Sequence, residues 1–301
     1  MNIAGVILAG LVFPGLVYAL AISFLMLWTE RKIEARVQRR IGPPFYQPFF
    51  DAIKLLGKRP VGRPGLQGFL MGALPVATLV VMLGAVALLP VVPLGVGFRG
   101  DLVLFVALVE AGPLLGVLGG FASRSMWGGL GASREAVMTA AYNLPFLTAL
   151  IALAWGGPLS LAALPGAASW PVRVLAVLAI ALCLPAKLHI NPFSVSNAEQ
   201  ELYTGATTEY DGWRLALWEI AHGVEWVVLT GLVAVLVLPD ALGYWRIPAF
   251  ILVSLIMVAI LSLGAAATAR LKLAQAARWF WAWGLLVAAG SLVLAMLGVG
   301  R

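Results

Sequence analysis

The sequence predicts an all-α integral membrane protein with about eight transmembrane helices and an amphipathic interfacial helix in its first cytoplasmic loop. Three observations lead there. Of 301 residues, 62% are hydrophobic and 11% charged, with a mean hydropathy of +0.98; soluble domains carry about 25% charged residues. Eight apolar stretches, near residues 3–28, 68–90, 102–121, 136–155, 172–189, 214–238, 248–268 and 279–298, match the length that a span requires. Lys and Arg are divided unevenly, with sixteen in the odd-numbered loops against four on the other side. By the positive-inside rule the odd loops face the cytoplasm and both termini lie outside. The spans consume most of the chain, so residues 1–301 read as a single polytopic membrane domain.

The first apolar run follows Met1 and Asn2 without a basic segment and exceeds a signal-peptide core in length. It is expected to be a retained helix. Nine of the twenty Lys and Arg residues then fall in Glu30–Arg63. Within this loop Phe45, Phe49, Ile53 and Leu56 recur at helical spacing, with Gln47, Asp51, Lys54 and Lys58 on the other side. Such a helix lies flat in the headgroup region. Gly42-Pro43-Pro44 forces an extended turn before it, and Gly57 and Pro60 end it. The net charge of +7 reports orientation here, not nucleic-acid binding.

Asp101 is placed to cap the third span. Glu110 lies mid-span, where a carboxylate must be paired, hydrated or protonated, and this makes it a functional candidate. The third loop, Ala122–Glu135, carries Arg124, Arg134 and Glu135 among glycines. Asn143 and Pro145 lie in the fourth span, which the proline should kink. The outer loop Gly156–Pro171 carries no functional signal. The sole cysteine, Cys183, lies inside a span and can form neither an internal disulfide nor an iron–sulfur site, so it is read as packing.

The fifth loop, Lys187–Arg214, holds Glu199, Glu201, Glu209 and Asp211. It should face the basic first loop across a polar cavity or a docking site. The sixth span opens with Glu219, His222 and Glu225. Glu219 and His222 share a face, and histidine suits proton relay near neutral pH. A metal centre would need His189, the other of two histidines, to converge on the same place. Trp279, Phe280, Trp281 and Trp283 form an interfacial aromatic girdle. No Walker motif, dinucleotide fingerprint, nucleophile triad or CxxC occurs, so no catalytic apparatus is visible.

The ordered elements of the first loop, Glu30-Arg31-Lys32, Arg36, Gln38, Arg40-Ile41-Gly42-Pro43, Gln47-Pro48, Asp51 and Lys54-Leu55-Leu56, resemble the H-type (ND1-like) membrane subunit of respiratory complex I. They are closer still to the equivalent anchor subunit of energy-converting membrane-bound [NiFe] hydrogenases and formate hydrogenlyase. Gly131-Ala132-Ser133-Arg134, Ala198-Glu199-Gln200-Glu201-Leu202 and Thr208-Glu209-Tyr210-Asp211-Gly212 fit the same family. The resemblance implies a prokaryotic cytoplasmic-membrane subunit that docks a peripheral redox arm. Its partners would be a hydrogenase-like large subunit, a small iron–sulfur subunit and antiporter-like membrane subunits. Iron–sulfur clusters and a [NiFe] centre would then belong to partner chains, with no cofactor in this one.

A rival reading, with bound quinone, has Arg36, Arg40, Arg134 and the fifth-loop glutamates line a quinone pocket. A further rival is a stand-alone secondary transporter that uses Glu110 and the sixth-span charges. The chain departs from the family pattern at buried acids: Asn143, Lys187, Ser194, Asn197 and His222 stand where carboxylates are usual. The expectation is a docking platform retained while the usual proton route is lost or moved to Glu110, Glu219, His222 and Glu225.

Overall fold

The computed structural model describes residues 16–91, 100–197, 199–202 and 204–299, which contain helices and no strand. In chain order the helices are α1 (Leu16–Val37), α2 (Gln47–Leu56), α3 (Gly65–Leu88), α4 (Asp101–Ala122), α5 (Met126–Ala154), α6 (Leu164–Ala167), α7 (Trp170–Lys187), α8 (Glu199–Leu202), α9 (Gly212–Val237), α10 (Arg246–Ala267) and α11 (Leu273–Met296), the last containing a π-helical turn at Phe280–Gly284. Seven of the described helices, α3, α4, α5, α7, α9, α10 and α11, are long and apolar enough to cross a membrane. Much of the first expected span, up to residue 15, lies outside the described residues, as do most of the outer loop before α4 and Ala198 of the fifth-loop motif.

The bundle is built around α9. Its residues from Gly223 to Leu236 are buried without interruption, as befits a stretch that, beyond Glu225, is apolar nearly all round. Helices α1, α3, α7 and α10 and the interfacial α2 pack against it, while α5 gathers α4, α7 and α11. Close approach depends on small residues: a Cβ added to Gly223 would come within 2.9 Å of Leu27 Cδ1 on α1. Such contact replaces the hydrophobic driving force that membrane helices lack.

All odd-numbered connections meet at one end. Arg63 and Gln67 donate to the Ser123 carbonyl at 3.4 and 2.9 Å, and Arg63 reaches Glu209 at 2.6 Å. Arg134 pairs with Glu201 at 2.6 Å, and the Leu271 amide donates to the Pro192 carbonyl at 2.9 Å. The Lys/Arg-rich loops therefore form one surface, as the charge count requires.

Several boundaries differ from the sequence reading. Helix α1 runs past residue 28 to Val37, so Glu30, Arg31, Lys32 and Arg36 are helical; no helix breaker intervenes before Gly42. The helix closes at Arg39, φ +58, where the Arg40 amide donates to the Ala35 carbonyl at 2.7 Å, and Lys32 Nζ donates to the Ile41 carbonyl at 2.9 Å. Helix α5 begins at Met126, about ten residues early, which draws Arg134 and Glu135 into it. Its glycines serve packing: a Cβ on Gly131 would lie 2.7 Å from the Ala206 amide nitrogen.

Asp101 does not cap α4, whose N-cap is Gly100. It is buried and accepts from the Leu161 amide at 2.7 Å and Ser160 Oγ at 3.3 Å, so it ties down the outer loop that had shown no signal. The aromatic girdle divides, because Phe280 is fully buried while Trp281 and Trp283 are exposed. The π-helical turn displaces the side-chain register there. Helix α2 matches its expected face, with Phe45, Phe49, Ile53 and Leu56 exposed and Pro48 and Ala52 buried.

Candidate functional site: a polar cavity beneath the loop surface

Helix α7 ends in a closure that aims a histidine. The amides of His189 and Ile190 donate to the carbonyls of Ala186 and Pro185 at 3.2 and 2.9 Å. This Schellman arrangement places a left-handed residue where glycine is usual. Here that residue is His189, with φ +54, a strain of order 1–3 kcal/mol. Its ring Nδ1 lies 3.2 Å from Glu135 Oε2 and 3.2 Å from Ser196 Oγ. Glu135 is only 5% exposed. Its other oxygen accepts from Thr139 and Tyr142 at 3.3 and 3.4 Å. The carboxylate is thus held on both sides, as a buried charge must be.

A second pair faces the first from α9. His222 Nδ1 lies 3.4 Å from Glu225 Oε2, and Trp226 Nε1 donates to His222 Nε2 at 3.3 Å. An indole N–H can only donate, so Nε2 is the acceptor and Nδ1 carries the ring proton toward Glu225. The partner of His222 is therefore Glu225, three residues on; the sequence reading had favoured Glu219, three residues back. The His189 and His222 ring centroids are 6.0 Å apart. Both pairs line a cavity of about 140 Å³ together with Ser196, Asn197 and Glu219. A water occupies about 30 Å³ of liquid, so the space holds several and can bridge the rings. Among the described residues no group of three or more His, Cys, Asp and Glu is arranged to hold a metal ion.

Burial pulls the His189 pKa down, but the adjacent Glu135 charge and hydrogen bond outweigh it and raise it to about 9. A pKa raised by folding contributes stability that is complete below about 6.5 and disappears as pH rises through the folded value. Thermal melts of wild type against His189→Gln should therefore differ most at pH 6, by roughly 2–3 kcal/mol, and converge by pH 9.5.

The other candidate residues fall into two groups. Glu110 does not line this cavity. Its Oε1 accepts from Lys187 Nζ at 2.8 Å, and Asn143 Oδ1 lies 3.2 Å from the same ammonium. Lys187 is 1% exposed and sits over the rings of Phe146 and Tyr142, at 4.3 and 4.7 Å. It is thus an interior charge, and its place in the loop count is corrected. Tyr142 separates the two clusters, its ring under Lys187 and its hydroxyl on Glu135. Ser194 Oγ donates to Asn191 Oδ1 at 2.6 Å and accepts from Arg270 Nε at 3.1 Å, which staples the fifth loop to the seventh.

The second group forms the loop surface. Arg31 pairs with Asp51 at 3.4 Å, and Gln47 donates to the same carboxylate at 2.9 Å. Arg36, Gln38, Arg40 and Lys54 are exposed. Asp211 accepts from the Val61 amide at 2.7 Å. Hydrogen bonds from Arg63 and Arg134 hold the Glu209 and Glu201 carboxyls below the usual range. The Glu199 side chain lies outside the described residues. Glu30, on α1, lies within electrostatic range of His222 and Glu219. Glu219 also borders a second cleft, about 290 Å³, between α1, α2 and α9.

Sequence reasoning missed Glu135 together with Thr139, Tyr142 and Ser196. The signal was present: residues 135, 139 and 142 share a helical face, but only if α5 extends through the glycines.

A polytopic helical bundle with a charged loop surface over a buried carboxylate–histidine cavity defines an integral membrane protein with an ionisable interior. The chain belongs to the NADH dehydrogenase family, whose model matches residues 10–296. It is also similar to a chain in the structure of the membrane-bound sulfane sulfur reductase, an archaeal respiratory membrane complex. The two are 25% identical over 97% of this chain and 99% of that one, with a TM-score of 0.86. The chain is accordingly an ND1-like membrane subunit of a complex I-like respiratory complex.

Proposed function

We propose that this subunit is a non-redox membrane anchor that docks a peripheral redox arm on its loop surface and carries protons through the cavity below. One observation carries the reading: two histidine–carboxylate pairs, from α5/α7 and from α9, face each other across a cavity with room for several waters beneath that surface. The exposed Arg31, Arg36, Arg40 and Lys54 supply the docking charge, and the Arg63–Glu209 and Arg134–Glu201 pairs hold the loops in register. Partners of this reading are a hydrogenase-like large subunit, a small iron–sulfur subunit and antiporter-like membrane subunits, with the metal centres in those chains. The ordered Arg-Ile-Gly-Pro-Pro run favours the hydrogenase branch over a quinone-reducing one.

Asn143, Ser194 and Asn197 cannot take up and pass on a proton as a carboxylate does, Lys187 inverts the local charge, and the Glu110 carboxylate is engaged by Lys187. The route therefore runs through Glu219, His222, Glu225, His189 and Glu135. In the intact complex reconstituted into vesicles, His222→Ala should lower proton translocation per turnover by about ten-fold or more, with the subunits still associated. Translocation unchanged by this substitution would overturn the relay. Co-purified subunits test the docking reading, and recovery of the chain without a peripheral arm would count against it.

A further inference from the structure

We infer that the Lys187 ammonium is a tethered cation that fills a built-in monovalent-cation cage between α4, α5 and α7, and that the subunit excludes free cations there by carrying its own. The inference stands on the cage geometry and does not depend on the proton relay proposed above.

The cage is made of groups that a monovalent cation would choose. Glu110 Oε1 supplies a charged oxygen at 2.8 Å and Asn143 Oδ1 a neutral one at 3.2 Å. The faces of Phe146 and Tyr142 complete it at 4.3 and 4.7 Å from Nζ, within the range in which an aromatic quadrupole attracts a cation. The second Glu110 oxygen, Oε2, is buried with no hydrogen-bond partner, so the carboxylate retains coordinating capacity that the ammonium does not use. Lys187 reaches the cage on a flexible four-carbon stem from the last residue of α7 and is 1% exposed. A lysine whose task was orientation or solubility would keep its head in water.

Removing only the ammonium makes a prediction that a purely structural lysine does not. Lys187→Ala leaves the Glu110 carboxylate, the Asn143 carbonyl and two ring faces around the space vacated by the stem, with room for water. The variant complex, purified in detergent at pH 8, should show a saturable rise in Tm with Na⁺, K⁺ or propylammonium chloride. At a hundred-fold excess over Kd the rise would be roughly 5 °C. Choline chloride at equal ionic strength, too large for the cage, should give none.

Wild type, and the Glu110→Gln/Lys187→Met double variant in which both charges are gone, should respond equally to all four salts. Lys187→Ser, which vacates the same space, should acquire the same selective response and provides the test if Lys187→Ala does not assemble. Stabilisation of these variants by acid alone, with no difference between Na⁺ and choline, would overturn the inference, because the cage would then take a proton instead of a cation.

Discussion

Replacing Glu110 by leucine should destabilise the complex by about 3–5 kcal/mol, among the largest effects expected of a single substitution in this chain. The cause is not the value of the lost contact but the charge left behind. The Lys187 ammonium is almost wholly buried, and without Glu110 its remaining polar contact in the cage is Asn143 Oδ1 at 3.2 Å. Two aromatic faces attract a cation, but each contributes only about 0.5–2 kcal/mol. That falls well short of the several kcal/mol of desolvation for each buried ion. The compensating variant isolates the pair. In Glu110→Leu/Lys187→Met neither charge remains, the volumes are close to the originals, and stability should return to within about 1 kcal/mol of wild type or exceed it. Unfolding midpoints of the purified complex in detergent measure both. If the double variant were no more stable than Glu110→Leu, the two charges would not be energetically coupled.

That pair also shows where the sequence stops being informative. Composition, apolar run length and loop charge identified the class, seven of the eight expected spans and the shared end of the odd loops, because these depend on transfer energies that each segment carries locally. The exposed apolar stripe of α2 was legible for the same reason, since helical periodicity is local. Lys187 was misassigned to a loop because its partner Glu110 is 77 residues away, and no local pattern distinguishes a buried cation from an orienting one. Glu135 was placed in a loop because the apolar run that marks the fourth span begins only at residue 136. In the fold Gly131 is a contact point, its Cα facing the backbone of Gly205 and Ala206. His189 was visible as a residue but not as a member of the cavity. Its position depends on a left-handed closure of α7 at a non-glycine residue, which sequence statistics disfavour.

The same close contact yields the second large effect. Gly205 has φ +60, and a Cβ there would lie 2.2 Å from the Ser196 carbonyl oxygen and 3.0 Å from Asn197 Oδ1. The neighbour is backbone, which cannot rotate away, and α5 closes the other side through Gly131. Gly205→Ala therefore combines a left-handed residue with a Cβ and a forced displacement of residues 196–197. Strain and overpacking together should cost roughly 3 kcal/mol or more. The displacement also bears on the site. Ser196 Oγ is 3.2 Å from His189 Nδ1, Asn197 lines the cavity, and Glu201 reaches Arg134 from the same loop. Gly290→Ala is the matched control: it lies within α11 with no atom within 4 Å of an added Cβ, and there alanine should be neutral or stabilising by about 0.5–1 kcal/mol. The two substitutions are chemically identical. Thermal unfolding combined with retention of peripheral subunits on size-exclusion chromatography should show loss of both in Gly205→Ala and of neither in Gly290→Ala. Equal behaviour would mean that the fifth loop does not hold the cavity and the docking surface together.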